Sequence, residues 1–129
     1  METLLRAALL DHLRADPTIA SALNIVDEAG VERASKPWLA LVASAAIDWS
    51  TKTHAGREVR VAFELRLHGD DPASGADIAA MIDARVLALP AQQPGFRVAS
   101  AHFLRGRAER GANNARAHLR EYRFRLLAD

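Results

Sequence analysis

The sequence predicts an α+β fold: an antiparallel or mixed β-sheet with one long helix and two short N-terminal helices packed on it. Three observations carry this. Val59, Val61, Phe63, Leu65 and Leu67 alternate with Glu58, Arg60, Glu64, Arg66 and His68, Ala62 being the one small exception. Strand side chains alternate faces, so this segment has one dry face and one charged face. That pattern fits an antiparallel sheet covered on one side only. Two other segments carry apolar residues at helical spacing, Leu4 to Leu13 and Ile78 to Leu89. Helices and strands are grouped in the order α-α-(β)-β-β-α-β-β rather than strictly alternating, which is the α+β arrangement. The 129 residues are expected to form one domain, residues 1–129, long enough to bury a real core.

Glu2 to Ala15 reads as an amphipathic helix, with Leu4, Leu5, Ala8, Leu9 and Leu13 on one stripe. Asp16-Pro17 ends it, because the residue before proline disfavours the α region. Pro17 suits the first turn of a second short helix, Thr18 to Leu23, capped by Asp16. Ile25-Val26 is a candidate short strand and Asp27 to Gly30 a turn. Trp38 to Ser44 is a strand candidate, apolar enough to be central, with Pro37 at its start where a missing N–H costs least. Asp48 to Thr53 (DWSTKT) is a polar loop leading to the alternating strand. Gly69 to Pro72 breaks the chain. Ser74 to Leu89 is the strongest helix, with Ser74 and Asp77 resembling a capping box. Pro90 and Pro94-Gly95 end it. Phe96 to Gly106 reads as a strand, Arg107 to Ala115 as the long polar tip of a hairpin, and Arg116 to Leu127 as the closing strand. Ala117 and Leu119 have the opposite parity to Tyr122, Phe124 and Leu126, so a β-bulge or break is expected near Arg120-Glu121.

Composition removes several function classes. The chain has no cysteine, which excludes disulfides, thiolate metal sites and cysteine nucleophiles. No apolar run reaches the ~18–20 residues of a membrane span. Glu2, Arg6, Asp11 and His12 interrupt the N-terminal apolar residues, so no signal peptide is expected. The reading is cytoplasmic at synthesis, with no membrane partner. Net charge is +1, but it is unevenly spread: from Arg97 onward eight arginines face three acids, leaving the remainder acidic.

Catalytic and metal motifs are not found. The seven glycines are scattered and build no phosphate loop. None of His12, His54, His68, His102 and His118 has a tight metal spacing. His68 with Asp70 and Asp71 reads as a strand end followed by helix-start acids. His102 and His118 could face each other on neighbouring strands but lack an orienting carboxylate. Asp48, Ser50 and His54 belong to a polar turn before they suggest a nucleophile and base. No enzyme activity and no cofactor are expected. Trp49 in its polar loop is either a lid on its own core or an anchor in a partner, since tryptophan and arginine are enriched at binding hot spots. The basic 105–125 hairpin opens a reading of another class, a small nucleic-acid-binding module making phosphate contacts. Few aromatics interleave there, so stacking platforms are not evident.

Taken together, these residues resemble a family of short phage and prophage tail-completion proteins. It includes tail terminators of siphophage-like tails and tail components of gene transfer agents. The resemblance rests first on the leading helix, Asp16, Pro17 and the second helix. Its specific part is Pro37 to Val42 (PWLALV), then Asp48 to Thr53, then Gly56-Arg57-Glu58 leading into the alternating strand. The Ala-rich helix from Ala76 to Leu89 and the ending Tyr122-Arg123-Phe124-Arg125-Leu126 complete it. At Asn24 to Ser35 the chain departs from the family: Ile25-Val26-Asp27 stands where a Val-Tyr-Asp-like strand and a proline turn are usual. The Arg107–Ala115 connection is also longer and more basic.

The resemblance implies a structural virion protein with nothing to catalyse. It would form a ring, commonly a homo-hexamer, at the end of the tail tube, and join the tube to the head. Its partners would be itself, the tail tube protein and a head-side connector protein, with DNA only as passing cargo. Its final location would be the tail of a phage-like particle. A position as a head-tail connector component is the alternative within the class. Trp49, Lys52, Arg57, Arg105, Arg107, Arg110 and Arg116 are the expected subunit or tail-tube contacts. Opposite charges on the two parts of the chain would help neighbours find register, and a ring needs one patch to meet a different patch on the next subunit.

Overall fold

A computed structural model describes all residues, 1–129. Helix α1 spans Glu2–Arg14 and α2 spans Pro17–Ala22. The Asp16 carboxylate accepts from the Thr18 and Ile19 amides at 2.9 and 3.3 Å, satisfying two donors that the helix leaves free. Strand β1 is Ile25–Asp27, β2 is Trp38–Asp48 and β3 is Gly56–His68. A 3₁₀ turn at Val31–Arg33 lies between β1 and β2. Helix α3 is Pro72–Leu87, followed by β4 (Gln92–Gln93), β5 (Phe96–Arg110) and β6 (Ala115–Ala128).

The strands form one six-stranded sheet in the order β1-β2-β3-β6-β5-β4. It is mixed: β1 and β2 are parallel and every other pair is antiparallel. The central pair, β3 with β6, runs without a register shift from Gly56 opposite Leu127 to His68 opposite Ala115. Directly opposed residues share a face. One face therefore carries Val59 with Phe124, Val61 with Tyr122, Phe63 with Arg120 and Leu65 with His118. All three helices pack on that side. Leu5, Leu9 and Leu13 of α1 and Ile82 and Val86 of α3 are fully buried against Leu39, Leu41, Val61, Phe63, Tyr122 and Phe124. Each such side chain contributes about 1.5–3 kcal/mol by leaving water. The other face carries Glu58, Arg60, Ala62, Glu64 and Arg66 on β3, and Ala117, Leu119, Glu121, Arg123 and Arg125 on β6. It has only a small apolar cluster, Val31, Trp38 and Ala40, where the 3₁₀ turn folds over β2.

Several expectations need correction. The first helix has 13 residues against 16 in α3, so only α2 is short. Asp71, not Ser74, caps α3: its side chain accepts from the Ala73 amide at 2.9 Å with Pro72 in the first turn, while the Ser74 hydroxyl donates to the Asp71 carbonyl. β2 continues past Ser44 to Asp48. The segment Arg107–Arg110 is strand rather than loop, and the hairpin tip shrinks to residues 111–114. The expected irregularity exists but lies across from the expected place. β6 is regular, and β5 shifts register between Phe103 and Arg105, opposite Tyr122 and Glu121. A second shift falls between Val98 and Ser100.

A polar clamp fastens α3 to the sheet. Arg120 Nε donates to Asp83 Oδ1 at 3.0 Å, and the Tyr122 hydroxyl donates to the same carboxylate. The Arg120 guanidinium also lies 4.6 Å over the Phe103 ring, and Phe103 meets Tyr122 edge-on at 5.9 Å. Burial, then the bond to Asp83, pushes the Tyr122 phenol far above its ordinary range. Hydrogen bonding to Asp83 likewise raises Arg120. The carboxylate thus satisfies a buried hydroxyl and a half-buried cation together. Asp83→Ala should cost about 2–3 kcal/mol in urea unfolding, because it strands both donors, whereas Tyr122→Phe should cost about 1 kcal/mol. Equal losses for the two variants would show that Arg120 contributes nothing to the clamp.

Candidate assembly surface

No helix covers the other face of the sheet, and its charges are largely matched. Glu58, the one buried charged residue at 9% exposure, accepts from Arg125 Nε at 3.1 Å and lies 4.0 Å from Arg123 Nε. Arg123 Nε itself is buried without a hydrogen bond. Arg125 also stands 5.5 Å over the Trp49 ring. Toward the other end, Arg105 pairs with Glu121 and Arg107 with Glu109. Arg66 pairs with Glu64.

Of the seven expected contact residues, Trp49, Lys52 and Arg57 lie at one end of the sheet and Arg107, Arg110 and Arg116 toward the other, while Arg105 sits mid-sheet, level with Ala62 of β3. The β2–β3 loop, residues 49–55, leaves the end where Gly56 opposes Leu127, and the Ala128 amide donates to the Ala55 carbonyl there. The β5–β6 tip leaves the end where His68 opposes Ala115, and the Gly69 amide donates to the Asn114 carbonyl. The 13-residue β3 strand between them spans about 40 Å at the usual rise.

At the first end the loop is internally bonded. The Ser50 hydroxyl donates to Asp48 Oδ1 at 2.6 Å and accepts from the Gly56 amide at 3.1 Å. The Thr51 amide donates to the His54 carbonyl at 2.9 Å. Ser50 is thus held by Asp48 rather than by His54, whose Nδ1 lies 2.9 Å from Thr53 Oγ1. Trp49 is half-buried, its amide donating to the Gly56 carbonyl at 3.0 Å. Arg57 Nη1 reaches the Gly56 carbonyl at 2.9 Å and Asp48 at 3.3 Å. Lys52 is exposed and makes no ion pair or side-chain hydrogen bond.

At the second end Arg116 is turned inward. Its Nε donates to the Gly69 carbonyl at 2.8 Å and its Nη2 to that of Asp70 at 3.2 Å, bracing the turn between β3 and α3. Arg110 is exposed with no acidic partner. The basic half is therefore not one patch. Arg116 and Arg120 are used internally, and Arg105, Arg107, Arg123 and Arg125 lie beside acids, leaving Arg97 and Arg110 unpaired. Arg120 and Asp83 lie on separate elements, β6 and α3. Their pairing depends on a register between distant segments and has no local signal.

The remaining candidates do not build a chemical site. His102 opposes Arg123 on the helix-free face and His118 opposes Ala108 on the helix-covered face, so the two histidines do not meet. Burial, reinforced by Arg120 and Arg116, lowers the pKa of His118. Burial also lowers that of His12, whose Nε2 lies 2.8 Å from the Arg85 carbonyl. No group of three or more His, Asp or Glu side chains is placed to hold a metal ion. No helix is long and apolar enough to cross a membrane.

The sequence model of the family described as tail completion protein gp17 matches residues 7–128. The chain belongs to this family. Family membership carries a structural, tail-completion role. A chain in a solved structure described as "Virion of native gene transfer agent (GTA) particle" has the same fold. The two are 23% identical with a TM-score of 0.77, covering 98% of this chain and 96% of that one. No curated protein matches.

The loop end gives a test of how tightly the tail-completion protein holds Trp49. A Cβ on Gly56 would lie 2.4 Å from the Trp49 carbonyl oxygen and 2.9 Å from that of Leu126, both backbone atoms that cannot swing away. Gly56→Ala should cost about 1–3 kcal/mol, as overpacking does, and shift tryptophan fluorescence to longer wavelength. A variant with wild-type stability and emission would show that the loop is not seated on β3.

Proposed function

We propose that the chain is a tail terminator: copies close into a ring, a homo-hexamer, at the end of the tail tube and join it to the head. The single domain 1–129 is the building block. The observation that carries this reading is the placement of two different polar surfaces at opposite ends of one continuous sheet. A piece inserted between tube and head has to offer one surface to each. The end with Trp49, Lys52 and Arg57 has a compact loop and an aromatic ring. The other end has a basic hairpin with Arg107 and Arg110, and Arg105 lies further along β5 toward mid-sheet. Arg116 supports that hairpin by holding its base to Gly69 and Asp70. The tail tube protein and the head-side connector protein are the partners, and DNA passes through as cargo. The protein is made in the cytoplasm and ends in the particle. A connector position uses the same two-ended geometry and is the alternative within the class.

A nucleic-acid-binding module is disfavoured by the pairing of the arginines. Phosphate contact needs cations free to replace counterions, and among the eight C-terminal arginines only Arg97 and Arg110 have neither an acidic nor a backbone partner. The test is complementation of particle assembly. Arg107→Glu with Arg110→Glu should abolish tail joining while circular dichroism and melting temperature stay near wild type, because both side chains are exposed. Normal infectious or transducing particles from that variant would remove the hairpin from the contact surface.

A further inference from the structure

The sheet has two long open edges. β1 covers β2 only from Trp38 to Ala40, and β4 covers β5 only at Phe96 and Arg97. None of the backbone hydrogen bonds outside the helices and the sheet involves residues 42–48 or 99–110. Each edge therefore presents a row of backbone donors and acceptors with no protein partner. Natural edges are usually blunted by proline, lysine or short length. The β2 edge, Ala43 to Asp48 (ASAAID), has neither residue and leaves Ile47 61% exposed.

The two edges match in length and direction. β2 shifts register at Val42, after which Ala43–Asp48 is regular against β3. β5 shifts between Phe103 and Arg105, after which Arg105–Arg110 is regular against β6. Both regular stretches have six residues. β2 and β5 run in opposite directions, since two antiparallel steps separate β2 from β6 and a third reverses β5. Continuing the sheet from one copy to the next thus makes an antiparallel ladder, the more stable kind. On the helix-free face the small Ala43 and Ala45 leave room for the long Arg105 and Arg107.

We propose that neighbouring copies join head to tail by pairing the β2 edge at Ala43–Asp48 of one with the β5 edge at Arg105–Arg110 of the next. The inference rests on the ring reading above and supplies its contact. The pairing is heterologous, so repetition leads to a ring when the rotation closes. The geometry suits closure. Ala43–Asp48 lies beside Arg57–Ala62 of β3, while Arg105–Arg110 lies beside Arg116–Glu121 of β6 and so level with Ala62–Leu67 of β3. The two stretches are offset by five residues along β3, roughly 17 Å. The four strands β2, β3, β6 and β5 span about 19 Å across. That offset tilts the strands by roughly 40°, inside the range of about 35–45° at which sheets close into barrels.

Because the chain has no cysteine, disulfide trapping tests the pairing directly. Ala43→Cys and Ala45→Cys, all exposed edge positions, are each combined by mixing with Arg105→Cys, Arg107→Cys or Glu109→Cys, and oxidised in the purified protein and in assembled particles. At least one β2–β5 mixture should convert most protomers to linked heterodimers, and the double variant in one chain should give a ladder ending at the ring size. Self-linking of the β2 variants alone, with no mixed product, would replace the head-to-tail contact by a two-fold one and overturn the proposal. Rings seen by native mass spectrometry or in particles without any mixed link would overturn the edge pairing and leave the ring standing. Absence of rings even in particles would remove the ring reading and this contact with it.

Discussion

The unbroken ladder between β3 and β6 organises the molecule. With no bulge from Gly56–Leu127 to His68–Ala115, every residue of both strands has a fixed face. A one-residue slip would invert all of them. The ladder puts Val59, Val61, Phe63, Tyr122 and Phe124 under the helices, and sends Glu58, Glu64, Arg123 and Arg125 to the side that no helix covers. It also separates the two connecting tips by its own length. The core, the charge pairing and the two-ended shape are consequences of one register.

That register changes the meaning of the C-terminal arginines. As a list they form a basic half-chain, an electrostatic footprint of the kind polyanions attract. On the ladder they are distributed between two faces and most are matched, Arg120 to Asp83 beneath α3, Arg125 to Glu58, Arg105 to Glu121 and Arg107 to Glu109, with Arg97 and Arg110 left unpaired. Exposed pairs of this type are worth little in stability, about 0–1 kcal/mol each. They do make the helix-free face a mixed, register-specific surface, better suited to recognising a protein of set geometry than to gripping a phosphate chain.

Much of the fold was legible in local sequence because the signals there are local. The alternation from Val59 to Leu67, the Asp16-Pro17 cap and the stripe Ile78, Ile82, Val86 depend on neighbours a few residues away. What was not legible depends on partners far along the chain. Arg107–Arg110 reads as loop by composition, yet becomes strand because it pairs with Arg116–Leu119. The opposite parity of Ala117 and Leu119 is not a bulge in β6: both residues lie on the helix-free face of a regular strand, and the register shift is in β5. Of the candidate surface, the residues were named and their separation was not. Nothing in the spacing of Trp49 and Arg107 says that they occupy opposite ends of a sheet.

The central claim is that this tail-completion protein is a two-ended ring element. The most direct measurement is an electron cryomicroscopy reconstruction of the head-proximal end of an assembled tail. The account predicts six copies in one closed ring, with the 49–55 loops on one rim and the 111–114 tips on the other. Density for the chain as isolated copies, or as copies lying with both tips against the same partner, would contradict it.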